Sequence, residues 1–221
     1  MRRSHLSILL LPLLMFGMVS CKTVTPNRTD FLSSYSKMDK QGPLSGAQVY
    51  KGDVEDLQKY DKLYIEDVRF LGSTNGTKKT DVTSAEAKEL TQAFRSNLQN
   101  QLGKSLDIVD HRGKSTLSLR VAITDARASK PAIFLATYAP YISTASTVVG
   151  VASGKSVGAG SAAMQAELLD SVTRERYYAI VDEKQGGKLQ PQGIQRMGHA
   201  KASVKKWSRR FGKLVRPRKN R

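Results

Sequence analysis

Cys21 is the only cysteine in a chain of 221 residues, and it closes a short apolar leader. Arg2 and Arg3 open that leader, an apolar run follows from Leu6 to Met15, and Met18, Val19 and Ser20 stand immediately before the cysteine. A positive start, an apolar run of about ten residues and a small residue before the cut are the parts of a secretory signal. A spanning helix needs roughly twenty apolar residues, so this run is too short to span a bilayer. The chemistry this points to is lipidation: cleavage before Cys21, diacylglycerol on its thiol and an acyl group on the new amino terminus. One acyl chain holds a protein only reversibly, whereas two or more anchor it. An ordinary secreted protein with an early cysteine is the alternative, but a lone exported thiol has no disulfide partner within the chain. Lys22 follows the cysteine where Asp would retain the protein at the inner membrane, so the expected site is the outer membrane, facing the periplasm.

Other residue types capable of chemistry are sparse. Asp125, Glu167, Asp170 and Asp182 fall at or near expected strand ends and could converge as paired carboxylates. Acid–base catalysis would need two of them in one cleft with separated pKa values. Ion pairing with Arg120, Arg174 or Arg176 is the competing role. His111 stands in an expected turn and His199 at the start of a helix, neither with a Cys, Asp or Glu at metal-ligand spacing, so no metal site is argued. Gly154, Lys155 and Ser156 resemble the end of a phosphate-binding loop, but the first glycine of that pattern would fall on Val149. These residues argue against an enzyme, and neither a cofactor nor a small-molecule substrate is expected.

The charge is distributed unevenly. The chain carries 36 Lys and Arg against 19 Asp and Glu, a formal +17. Past Glu183 there are thirteen basic residues and no acidic one, while residues 21–183 are nearly balanced. A block of like charge reads as a contact for an anionic surface. Export removes nucleic acid from reach and leaves anionic lipid, lipopolysaccharide or an acidic envelope protein. The candidate contacts are Lys201, Lys205, Lys206, Arg209, Arg210 and Lys213; a solvated basic helix without a dedicated partner is the competing reading.

The elements that must position these groups follow from periodicity. Residues 21–59 read as a lipidated cysteine and a tether that becomes ordered toward its end, with Phe31 to Lys37 as its one sticky patch. Residues 63–70 are β-branched and aromatic, as a strand requires. Thr83 and Glu86 have capping-box spacing, and Ala87, Leu90, Phe94, Leu98 and Leu102 follow at helical spacing until Gly103. Residues 106–109 form a short strand. Leu117, Leu119, Val121 and Ile123 alternate with Ser118, Arg120, Ala122 and Thr124, which predicts a strand with one wet side. Residues 160–170 and 177–182 form another extended pair, joined by a loop over 171–175. From about Ile194 to Val215 an apolar stripe of Met197, Ala200, Val204, Trp207 and Phe211 opposes the Lys and Arg residues. That stripe can cover the sheet or lie on a membrane, and Pro217 ends the helix before the basic tail 217–221.

Between Lys130 and Lys155 no charged residue occurs in twenty-four positions. The length would span a bilayer, but Pro140 and six Ser or Thr residues make a spanning helix poor. A buried crossover with a short helix, an exposed apolar loop for a partner, and a membrane-inserting hairpin of an oligomeric pore or secretion component remain as readings.

Several segments in order, Phe31 to Ser36, Tyr60 to Val68, Leu119 to Ala126, Ala166 to Ser171 with Thr173, and Gly198 to Lys201 with Trp207, resemble the bacterial lipoprotein family catalogued as domain of unknown function 3313. The resemblance implies an anchored single α/β domain and carries no activity. Arg174 stands where such proteins often have Gly, which argues against a tight turn there. The expected product is an α/β (α+β) two-layer domain over 60–216, with an antiparallel or mixed sheet and helices mainly on one face. It follows the signal peptide 1–20, and its expected role is that of a non-enzymatic binding or scaffold lipoprotein, with an enzyme acting on envelope polymers as the remaining alternative.

Overall fold

The computed structural model describes residues 29–40, 47–53, 55–72, 81–136, 158–186 and 191–215. The leader, Cys21, the part of the uncharged stretch over 137–154, the Gly154 to Ser156 triplet and the basic tail lie outside the described residues.

Among the described residues eight strands form one mixed sheet: β1 (Asp39–Lys40), β2 (Gln48–Lys51), β3 (Lys62–Ile65), β4 (Arg69–Phe70), β5 (Asp107–Val109), β6 (Thr116–Arg127), β7 (Ser161–Asp170) and β8 (Arg176–Gln185). The order is β1-β2-β8-β7-β6-β3-β5, with β4 also on β6. Strands β3 and β4 run parallel to β6, and β3 runs parallel to β5; the remaining pairs are antiparallel. Helices α1 (Ser84–Leu102) and α3 (Gly198–Leu214) cover one face, and α2 (Pro131–Ala136) is a short turn after β6. The two-layer α+β architecture is as the alternation and helical stripes predict.

The alternation of β6 sets both faces. Leu117, Leu119, Val121 and Ile123 join Met164, Ala166, Leu168, Tyr178 and Ile180 under the helices. The stripe Ala87, Leu90, Phe94, Leu98 and Leu102 is buried along the whole of α1, whose capping box forms as spaced: Thr83 Oγ1 accepts from the Glu86 N–H, and Glu86 accepts from the Thr83 N–H. On α3, Ala200, Val204, Trp207 and Phe211 are buried, and Trp207 stacks on Phe94 with ring centroids 6.0 Å apart. The apolar stripe of α3 is thus committed to the core. Its helix begins at Gly198, later than the periodicity suggests, because residues 191–194 form a 3-10 turn and the Gly198 backbone packs against the Gln192 carbonyl too closely for any side chain.

Three expectations need correction. The stretch read as a tether supplies β1, β2 and a packed segment, residues 29–38, which we call the strap. Its Phe31 and Leu32 bury themselves on Ala122, Ala179 and Val181, on the face of the sheet opposite the helices. That face is therefore not wet: Ser118, Gln165 and Glu167 are fully buried. The single strand over 63–70 is split. From Ile65 to Arg69 the chain takes four steps while its partner β6 takes three, from Leu119 to Ala122, so one residue is extra. Such a bulge re-aims a side chain: Glu66 keeps the regular alternation and faces away from the helices, while Phe70, five residues past Ile65, returns to the helix side with it. Strands β6 and β7 are antiparallel neighbours, and the Lys130 N–H donates to the Gly158 carbonyl at 2.7 Å, so the chain leaves β6 and enters β7 at one end of the sheet. Among the described residues no helix is long and apolar enough to cross a membrane.

Candidate functional site

The sheet presents two polar assemblies, one on each face. On the helix side, between α3 and β8, lies a depression of about 300 Å³ lined by Asp182, Lys184, Lys206, Trp207, Arg209, Arg210 and Lys213. Helical spacing of i, i+3, i+4 and i+7 brings the four α3 cations to one side. Asp182 lies beneath them, fully buried, accepting from the Trp207 indole N–H at 2.9 Å and from Lys184 Nζ at 2.9 Å. Its charge is thus already matched, and the rim is left strongly positive. Arg210 also hydrogen-bonds Tyr178, whose phenol burial pushes upward in pKa. Among the described residues no carboxylate lies within 4.0 Å of Lys205, Lys206, Arg209, Arg210 or Lys213. Lys201 differs: it reaches Glu89 on α1 at 2.5 Å and stands apart from this rim.

On the strap side the charges close among themselves. Glu167 is fully buried; it accepts from the Ser33 N–H at 3.0 Å and the Ser33 hydroxyl at 2.7 Å, and it pairs with Arg120. Arg120 also lies over the Phe31 ring, 4.9 Å from its centroid, and 3.5 Å from Glu66. Thr29 Oγ1 and the Tyr35 hydroxyl donate to Gln165, and Arg176 donates to the carbonyls of Ser34 and Ser36. Glu66 receives Ser118, Arg112 and Arg174. Burial works against its charged form, but the Ser118 and Arg112 hydrogen bonds and the fields of Arg112 and Arg120 outweigh it and hold the carboxyl below its ordinary range.

The four carboxylates do not converge. Glu167 and Asp182 point to opposite faces of the sheet, Asp125 pairs with Arg127 at 3.6 Å, and Asp170 accepts from Tyr60 and from the N–H groups of Val172 and Thr173. Of the predicted arginine partners, Arg120 takes Glu167 and Arg174 takes Glu66, while Arg176 takes strap carbonyls. The roles of Ser33, Glu66 and Arg112 are not apparent from sequence; the one legible signal is the polar side of β6, Ser118 and Arg120, which had to face something. The loop joining β7 to β8 does turn tightly, with Arg174 at φ 64° in the left-handed region that a glycine would occupy without strain. His199 is buried on α3, which lowers its pKa, and His111 is exposed beside Asp110 at 2.6 Å. No group of three His, Cys, Asp or Glu among the described residues could hold a metal ion.

The family model described as "Protein of unknown function (DUF3313)" matches residues 27–211, and the chain belongs to that family. No curated protein sequence matches it. Among solved structures the chain is similar to a PelC dodecamer subunit from Paraburkholderia phytofirmans, at 10% identity and a TM-score of 0.46, covering 78% of this chain and 98% of that one. It is also similar to a DUF4136 family protein from Bacteroides thetaiotaomicron, at 11% identity and a TM-score of 0.38, covering 76% of this chain and 96% of that one.

Proposed function

We propose that this DUF3313 protein is a non-enzymatic envelope lipoprotein, anchored by acylated Cys21 at the periplasmic side of the outer membrane, whose α3 face docks an anionic partner. The observation that carries the docking role is the depression between α3 and β8: five cations surround it, and its one carboxylate, Asp182, is already bound to Trp207 and Lys184. Like charges held together on a rigid helix without counter-charges raise the local potential and favour an anion. The carboxylates suited to acid–base work each hold a structural partner, which supports binding over catalysis.

The test reverses three charges together, Lys206→Glu, Arg209→Glu and Lys213→Glu, all on exposed positions of α3. Retention on an anionic matrix should fall to that of a neutral protein while thermal unfolding changes little; unchanged, salt-sensitive retention would remove α3 as the docking face. Separately, Cys21→Ser should release the protein into the soluble periplasmic fraction.

A second reading is supported by the closure between Lys130 and Gly158, which makes the uncharged stretch leave and return at one end of the sheet. In that reading residues 131–154 enter a bilayer in an oligomeric pore or secretion component. Delipidated protein that stays monomeric and releases no dye from liposomes would dispose of it.

A further inference from the structure

Both faces of the sheet are accounted for, and they differ in what they hold. The strap lies on Ala122, Ala179 and Val181, while α3 lies on Tyr178 and Ile180 of the same strand β8. Consecutive residues of a strand point to opposite faces, so the strap and the basic rim are on opposite sides of the domain. The strap is also the point where the anchor joins: Thr29, fixed to Gln165 at 3.0 Å, is eight residues beyond Cys21.

From this geometry, and resting on the reading of Cys21 as the anchor and α3 as an anionic dock, we infer that the α3 face looks away from the bilayer holding Cys21. Its partner is then an acidic protein segment and not the headgroups of that bilayer. Packed layers lie about 10 Å apart, so the exposed Lys206, Arg209 and Lys213 stand at about the height of the α3 axis, roughly 10 Å above the sheet, while Arg210 reaches down to Tyr178. The strap lies on the other side, so charged tips and anchor exit are separated by about 20 Å. The Debye length at physiological ionic strength is about 8 Å, so with the strap toward the membrane the anionic headgroups exert little pull on α3. Turning the domain over is opposed by the tether. Eight residues span at most about 28 Å, so α3 could touch the same bilayer only with most of that reach used to carry the anchor around the domain.

The partner's chemistry follows from the rim itself. Lys206, Arg209, Arg210 and Lys213 extend over about 10 Å of helix at 1.5 Å per residue. Asp and Glu repeated at the same i, i+3, i+4 and i+7 spacing on a helix would meet them pairwise, with each exposed pair adding a little affinity and a marked gain in association rate.

The experiment uses the full lipidated chain in vesicles of phosphatidylcholine and phosphatidylglycerol carrying a nitroxide headgroup quencher. With Cys21 acylated, an introduced cysteine is the only free thiol, so a fluorophore can be placed by Lys37→Cys on the strap side or by Lys205→Cys on α3. Quenching at 37 should exceed that at 205 several-fold, and a polyglutamate peptide should bind the vesicle-held protein as well as it binds the Cys21→Ser protein in solution. Equal quenching at both positions, or peptide binding lost when phosphatidylglycerol is present, would overturn the orientation. Failure of polyglutamate to bind the soluble protein would instead remove the anionic dock, and failure of the chain to stay with vesicles would remove the anchor.

Discussion

Glu167→Gln isolates the contact on which the strap depends. The carboxylate is fully buried and accepts from Ser33 twice and from Arg120. Glutamine keeps the shape, but its amide presents donors to donors and leaves the guanidinium short of one anion. Breaking a buried ion pair by removing one partner costs about 3–5 kcal/mol. Here Arg120 retains Glu66 at 3.5 Å and is 23% exposed, so the expected loss is lower, about 2–3 kcal/mol. For a domain of this size that is a fall in Tm of roughly 5–10 °C. Urea unfolding of the Cys21→Ser protein measures it, and limited proteolysis reads the strap directly, because residues 29–40 should be cut in the variant before the sheet unfolds. Asp125→Asn is the control: its side chain is 35% exposed and 3.6 Å from Arg127, so a loss below about 0.5 kcal/mol is expected. If Glu167→Gln loses less than about 1 kcal/mol and its strap stays as protected as the parent's, the carboxylate does not hold the strap.

Two further outcomes are expected. Arg174→Gly should leave stability equal or raised by about 0.5 kcal/mol, since relief of a left-handed conformation, worth about 1 kcal/mol, outweighs half-exposed contacts to Glu66 and Ser118 at 3.4 Å; a loss above about 1 kcal/mol in chemical denaturation would show that Glu66 needs its third arginine. Stability should also fall on acidification. Glu66, Glu86 and Asp170 are each partly desolvated, yet Ser118 and Arg112, Arg196 and Thr83, and Tyr60 with two backbone N–H groups, respectively, hold them below the ordinary carboxylate range. The unfolded chain therefore binds more protons in acid, so this contribution is complete above about pH 4–5 and is lost as pH falls through the lowered folded values. Urea titrations at several pH values check it, and Glu86→Gln should reduce the slope; a flat profile through the carboxylate range would contradict the paired geometry.

The sequence by itself determined the two long helices, the long strands and their inward faces, because those depend on local periodicity. The five-residue stripe of α1, its Thr83–Glu86 cap, the alternation of β6 and the amphipathic α3 all follow from spacing within one segment, where burial of apolar area selects one face. It also located the basic cluster that lines the depression, since the repeat on α3 brings those cations together in any folded context. What only the tertiary structure decided rests on contacts far apart in the chain. Ser33 meets Glu167 across 134 residues, and Arg174 meets Glu66 across 108. Phe31 to Lys37 is legible as a sticky patch, but nothing in the composition of the strap names the surface it covers. Phe31 and Leu32 become core only because Ala122, Ala179 and Val181 leave room on the second face of the sheet. The split between β3 and β4 likewise has no local cause, since its extra residue is measured against β6. That bulge returns Phe70 to the helix side and Leu71 to the strap side, and the faces so assigned put the strap and the basic rim of α3 on opposite sides of one sheet.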